Sequence, residues 1–86
     1  MNDKELFGTI IKTITPYVKD LALLESATAD TRLIQDLKIN SARLVDIVIV
    51  FEDVFDIEIG DDDVDSIKTI GQLMTVILKK TEGAAA

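Results

Sequence analysis

The sequence predicts an all-α fold, a small three-to-four-helix bundle with a long loop between the first and second main helices. Three observations predict it. Apolar residues recur with the 3.6-residue period of a helix in three separate segments. Each of those segments opens on a residue able to cap a helix N-terminus. The one segment rich in Val, Ile and Phe, residues 41 to 55, rivals a strand on propensity but is too long for a typical one.

The first helix is expected from Asp3 to about Thr15, with Leu6, Phe7, Ile10, Ile11 and Ile14 on one face and Asn2 or Asp3 as cap. Pro16 stops or kinks it, and Tyr17, Val18 and Leu21 extend a short turn towards Leu24. ESATADTRLIQDLKIN, residues 25 to 40, reads as a loop pinned by Leu33, Ile34, Leu37 and Ile39. Its length makes it a functional candidate in its own right. The second main helix runs from Ser41 to Phe55, capped by Asn40 or Ser41, with Leu44, Ile47, Val48, Phe51, Val54 and Phe55 as its core stripe. A second stripe, Ala42, Val45, Asp46, Ile49, Glu52 and Asp53, mixes apolar and acidic residues and cannot all face the same core. Gly60 breaks the chain, and Asp61 to Ser66 form one short helical turn. Thr69 caps the last helix, Ile70 to Lys80, whose face carries Ile70, Leu73, Met74, Ile77 and Leu78. The bundle is thus expected over residues 1 to 80, with residues 81 to 86 as a flexible C-terminal tail.

Composition excludes several kinds of chemistry. The 86 residues contain no Cys and no His. Disulfides, thiolate metal sites and a Ser-His-Asp triad are therefore impossible within the chain, and no catalytic residue is expected. The net charge of −7 disfavours nucleic acid. Between Asp46 and Asp65 stand nine acids (Asp46, Glu52, Asp53, Asp56, Glu58, Asp61, Asp62, Asp63, Asp65) and no Lys or Arg. Such a surface steers basic partners, or serves only as a solvated face. No stretch is long enough for a membrane span, and MNDKELFGTI lacks the plan of a secretory signal. A cytoplasmic, monomeric protein is expected. The DDDVD run does not make a calcium loop: starting at Asp56 puts Glu58 at position 3 but Gly60 at position 5 and Asp61 at position 6. No metal site is expected.

Ser41 remains. It stands where the loop becomes a helix, and its plain reading is an N-cap. The alternative makes it a substrate for modification. A hydroxyl at a helix N-terminus suits a phosphodiester, because free N–H groups and the positive dipole end favour added negative charge.

Three stretches carry a resemblance. They are DTRLIQDLKINS (30 to 41), FEDVFDIEIGDDD (51 to 63) and SIKTIGQLMTVI (66 to 77). In this order they resemble the acyl carrier protein family, over nearly the whole chain apart from the tail. The resemblance implies a helical bundle that is not an enzyme and whose second main helix begins with a serine bearing 4′-phosphopantetheine, here Ser41. It implies a phosphopantetheinyl transferase that takes the arm from coenzyme A. It also implies basic-surfaced acyl-transferring or synthase partners in fatty-acid, lipid or related secondary-metabolite synthesis. Asn40, Ala42 and Arg43 occupy the corner such enzymes touch. Asp46, Glu52 and Asp53 match acidic docking positions, and Ile49 shares their stripe. The chain departs from the family's Asp-Ser-Leu with Asn40-Ser41-Ala42, has Lys38 where Gly is common and Gly60 where Pro is common, and so resembles a specialised carrier. If a long acyl chain is carried, the stripe Leu44, Ile47, Val48, Phe51 and Phe55, facing Met74 and Ile77, offers an apolar slot. The other reading is an acidic helical interaction module with the same fold and no arm.

Overall fold

The computed structural model describes residues 2–85, and the side chains of residues 2–81. Helix α1 spans Asp3–Ile14. Asn2 is its cap: its side chain accepts the Glu5 N–H at 2.8 Å. Leu6, Ile10 and Ile14 are fully buried, as their spacing requires. Pro16 has no N–H to continue the helical ladder, and the chain tightens into a 3₁₀ turn over Thr15–Tyr17. A four-residue helix α2, Ala22–Glu25, follows.

Residues 26 to 40 contain no regular element but are firmly placed. Leu33, Leu37 and Ile39 are each about 1 % exposed. Ile34, expected as a fourth anchor, is 41 % exposed. The turn that buries Leu33 and Leu37 leaves the residue after Leu33 facing outward. Asp36 holds that turn: its carboxylate accepts the Arg32 backbone N–H at 2.8 Å and meets the Arg32 guanidinium at 3.4 Å. Those bonds, the backbone one first, keep its carboxyl below the usual carboxylate range. The loop is stitched to the start of the last helix. Leu33 N–H donates to the Lys68 carbonyl at 3.0 Å, Ile70 N–H to Thr31 at 3.0 Å and Gly71 N–H to Ala29 at 2.8 Å. A side-chain carbon at Gly71 would stand 3.0 Å from the Ala29 carbonyl oxygen, so this approach needs glycine or a shifted neighbour.

Helix α3 spans Ser41–Phe55 and buries Ile47, Val48 and Phe51 against α1 and the loop, with Phe55 stacked on Phe51 at 6.1 Å between ring centres. Val54, expected in that stripe, is 52 % exposed, because Phe51 and Phe55 already define the inward direction at the helix end. Asp56, at φ 53°, terminates α3, and the Ile57 N–H reaches back to the Glu52 carbonyl at 3.1 Å. This is a Schellman-type stop. The Glu52 carboxylate accepts the Ile59 N–H at 2.9 Å and carries the chain into helix α4, Asp61–Ser66.

Helix α5, Ile70–Ala85, opens on a reciprocal cap. Thr69 Oγ1 accepts the Gln72 N–H at 3.1 Å, while Gln72 Oε1 accepts the Thr69 and Lys68 N–H groups at 3.0 and 2.8 Å. Ile70, Leu73 and Ile77 are buried as expected, joined by Val76. The helical backbone runs five residues past the expected end at Lys80, into the segment read as a tail. Ala86 and the side chains of 82 to 85 lie outside the described residues. Lys80 bridges from α5 to Asp63 of α4 at 3.0 Å. The described elements are all helical, apart from one isolated bridge between Arg32 and Thr69.

Two predictions arise here. Lys38 sits at φ 59°, a left-handed conformation that costs an L side chain about 1–2 kcal/mol and glycine almost nothing. The greater freedom of glycine in the unfolded chain offsets part of this, so Lys38→Gly raises stability by roughly 0.5–1 kcal/mol, seen as a higher urea midpoint with unchanged slope. The second concerns acid. Lys80 first, then the Gly60 N–H, lowers the Asp63 pKa from its ordinary 3.8. A carboxyl lowered in the folded state contributes stability above its unfolded pKa and loses it as pH falls through the folded value. In thermal melts, the gap between wild type and Asp63→Asn is therefore widest near neutrality and closes as pH drops below 3.8.

Candidate functional site

The site is built on the first turn of α3. A helix leaves its first N–H groups unpaired, and a capping side chain can answer one of them. Asn40 does so: its Oδ1 accepts the Ala42 N–H at 2.9 Å from an extended backbone conformation. Ser41 is therefore the first helical residue rather than the cap. It is exposed, and among the described residues its hydroxyl makes no hydrogen bond. The free oxygen projects beside a positive dipole end.

The other expected residues fall along the outer face of α3. Ala42, Arg43, Asp46, Ile49 and Asp53 are all exposed. Ser41 and Asp53 lie about 18 Å apart along the axis at 1.5 Å per residue. Arg43 pairs with Asp46 at 3.3 Å, so the cation beside Ser41 is partly answered by the first acid of the face. Glu52 is the exception. It is half-buried, and its carboxylate holds the Ile59 N–H, so it is occupied by the fold. Val45 belongs with the outer face and was missed as a candidate. It is 57 % exposed, one turn from Ile49 at 53 %, and the pair makes an apolar strip between acids. The mixed second stripe was the signal that could have found it.

Of the stripe expected to offer an apolar slot, Leu44, Phe55 and Met74 are partly buried against the core that Val48 joins. Ile47, Phe51 and Ile77 are no more than 1 % exposed and pack against one another's surroundings in the core. A pocket of about 320 Å³ lies between the loop, the start of α3 and the end of α4. Ile34, Leu44, Val64 and Ile67 form its apolar walls, and Arg32, Gln35, Asp65 and Lys68 its polar rim. Of the slot residues, only Leu44 reaches it.

Ser41 fits a covalent phosphodiester arm: its oxygen is accessible, engaged by nothing among the described residues, and placed where anionic charge is favoured. A family profile described as "Phosphopantetheine attachment site" matches residues 10–77. The chain is 35% identical over 78 residues to an acyl carrier protein of Thermotoga maritima, covering 90% of this chain and 93% of that one. It is 32% identical over 77 residues to one of Lactobacillus acidophilus, covering 90% and 94%. It is 37% identical over 57 residues to one of Picosynechococcus, covering 66% and 70%. Such proteins are carriers, not enzymes, and their cofactor is covalent 4′-phosphopantetheine. The chain belongs to the acyl carrier protein family.

Proposed function

We propose that Ser41 is the attachment point and that the protein carries acyl groups as thioesters between partner enzymes. The observation that supports this most is the division of labour at the head of α3. Asn40 makes the capping bond that a serine there would ordinarily make, and Ser41 is left with an exposed, unengaged hydroxyl. In the attachment step, Ser41 Oγ forms a bond to the phosphorus that bears the pantetheine of coenzyme A, and the pyrophosphate P–O bond breaks. The nucleotide leaves. The hydroxyl proton passes to a base of the transferase. The bound arm supplies a thiol, whose thioester is activated towards nucleophiles. What the chain's own residues contribute is position: a tether from a rigid helix end raises the cargo's effective concentration at each partner.

The partners dock on the outer face of α3. Asn40, Ala42 and Arg43 flank the attachment point, and Asp46 and Asp53 present charge to basic enzymes. Val45 and Ile49 supply apolar contact. Glu52 acts mainly by holding the end of α3. A face with an apolar centre and a charged surround is the usual anatomy of a transient interface. The departures at residues 40, 42 and 43 point to a specialised carrier in fatty-acid, lipid or related secondary-metabolite synthesis, working in the cytoplasm as a monomer. Among the described residues, no helix is long and apolar enough to cross a membrane.

Incubation with coenzyme A and a broad-specificity phosphopantetheinyl transferase adds one arm, mapped to Ser41 by mass spectrometry. Ser41→Ala abolishes the addition and changes stability by less than about 0.5 kcal/mol, since the side chain holds nothing in place. An alanine variant that still accepts the arm refutes the assignment. An unmodified wild type, beside a control carrier modified in the same tube, favours the arm-free interaction module. The double reversal Asp46→Lys, Asp53→Lys lowers the apparent affinity of the transferase roughly tenfold, about 1.4 kcal/mol, and flattens its salt dependence.

A further inference from the structure

Between residues 37 and 45 the chain carries Lys38 and Arg43 and no acid, and from Asp46 to Asp65 it carries nine acids and no Lys or Arg. Ser41 stands inside the basic segment. Both cations are exposed, and both occupy positions that their own local structure disfavours. Lys38 takes a left-handed backbone that glycine would hold with less strain. Arg43 is the third residue of α3, where the positive end of the helix favours an acid. Helices α1 and α4 follow that rule, with Asp3 and Glu5 and with Asp61, Asp62 and Asp63, whereas the first turn of α3 has no acid. The pair of Arg43 with Asp46 does not offset this. It is an exposed contact between residues three apart, with the cation on the N-terminal side, and such pairs add little to stability. Folding therefore gives no reason for a cation at residue 43, and a broken local rule without a structural gain marks a residue kept for function.

We propose that Arg43 determines which enzymes this carrier accepts: it meets a carboxylate on the partner that fits, and it repels partners whose basic surface extends to the head of α3. The proposal rests on the reading of Ser41 as the attachment site. The phosphodiester at Ser41 is not the group that Arg43 answers, because residues two apart on a helix do not face each other. Its charge lies outward beside Asp46, on the face where partners dock. Arg43 and Asp53 are about 15 Å apart along the axis, at 1.5 Å per residue. The screening length in physiological salt is about 8 Å, so a partner meets the two ends of this face as separate charges rather than as one acidic surface. A matching partner therefore carries cations opposite Asp53 and an acid opposite Arg43. Arg43 also shields Asp46, the first acid of α3, from a cation that approaches it. The like charge works against the wrong partner and the opposite charge for the right one, and both act on the encounter.

The test measures arm loading by a broad-specificity, basic-surfaced phosphopantetheinyl transferase on the full chain, followed by intact mass, for wild type, Arg43→Gln and Arg43→Asp. Arg43→Gln keeps most of the side chain and removes its charge; Arg43→Asp reverses it. At low salt the KM for the carrier falls roughly threefold in Arg43→Gln and roughly tenfold in Arg43→Asp, while kcat stays within about twofold, as a change in encounter requires. In 1 M salt, where the screening length is about 3 Å, the three proteins converge. The carboxylate is tested from the other side, by changing Lys and Arg residues of the transferase surface singly to Glu. At least one such transferase gains on the wild-type carrier and loses on Arg43→Asp, an inversion that only a contact with position 43 produces. An unchanged KM in both variants, a gain that survives 1 M salt, or a set of transferases without that inversion overturns the role of Arg43 and leaves the attachment at Ser41 standing. Failure of wild type and both variants to load, beside a control carrier that does, overturns both.

Discussion

The joint between residues 29–33 and residues 68–71 is the constraint on which the rest depends. Three backbone hydrogen bonds close it, and Leu33, Leu37 and Ile39 are buried beneath it. The magnitudes assign different tasks to the two kinds of contact. Each backbone bond contributes about 0.5–1.5 kcal/mol net, whereas each fully buried aliphatic side chain contributes about 1.5–3 kcal/mol. Packing therefore holds the loop down, and the hydrogen bonds set which residue meets which. Gly71 permits the closest of these approaches, at the Ala29 carbonyl. With the joint closed, a loop of this length ends in a defined place, and Asn40 arrives at the head of α3 in the extended conformation a cap requires.

That arrival separates two tasks that a single residue often performs. Replacing a helix cap typically costs about 1 kcal/mol, so the chain cannot leave the position unanswered without loss. Because Asn40 answers it, the next residue is free of structural duty. Lys38, two residues earlier, shows what the geometry demands in return. Its backbone turns through the left-handed region to bring Ile39 into the core and Asn40 to the cap.

Charge is distributed along the same axis. The head of α3 carries Arg43 among uncharged neighbours, and the acids begin at Asp46 and continue to Asp65. Most of those acids are exposed and repel one another through water, where the cost is small. Two of them are drawn into the structure: Glu52, which accepts the Ile59 N–H, and Asp63, which through Lys80 and the Gly60 N–H ties α4 to α5. An acidic helix that also walls the pocket is thus held by one ion pair and by Val64 and Ile67, with Ile67 3 % exposed. The outer face of α3 remains available because neither α1 nor α5 packs against it, and its acids sit around the apolar pair Val45 and Ile49.

The sequence by itself determined the helices, their approximate limits and the prominence of Ser41, because periodicity, caps and helix breakers act over one or two turns. It determined the absence of His and Cys chemistry outright. Its errors cluster where direction depends on distant contacts. Ile34 and Val54 are apolar at plausible core spacing, yet they face outward because Leu33 and Phe51 with Phe55 had already claimed the inward side. Glu52 looked like a surface acid, and only the fold of residues 56 to 59 back over the end of α3 turned its carboxylate into a hydrogen-bond acceptor for Ile59. The choice between Asn40 and Ser41 as cap was open in the sequence, since both residue types cap well; the backbone conformation imposed by the loop joint decided it. The pocket was invisible for the same reason. Its walls come from three segments far apart in the chain, and only tertiary packing brings Ile34, Leu44 and Val64 together and leaves space between them.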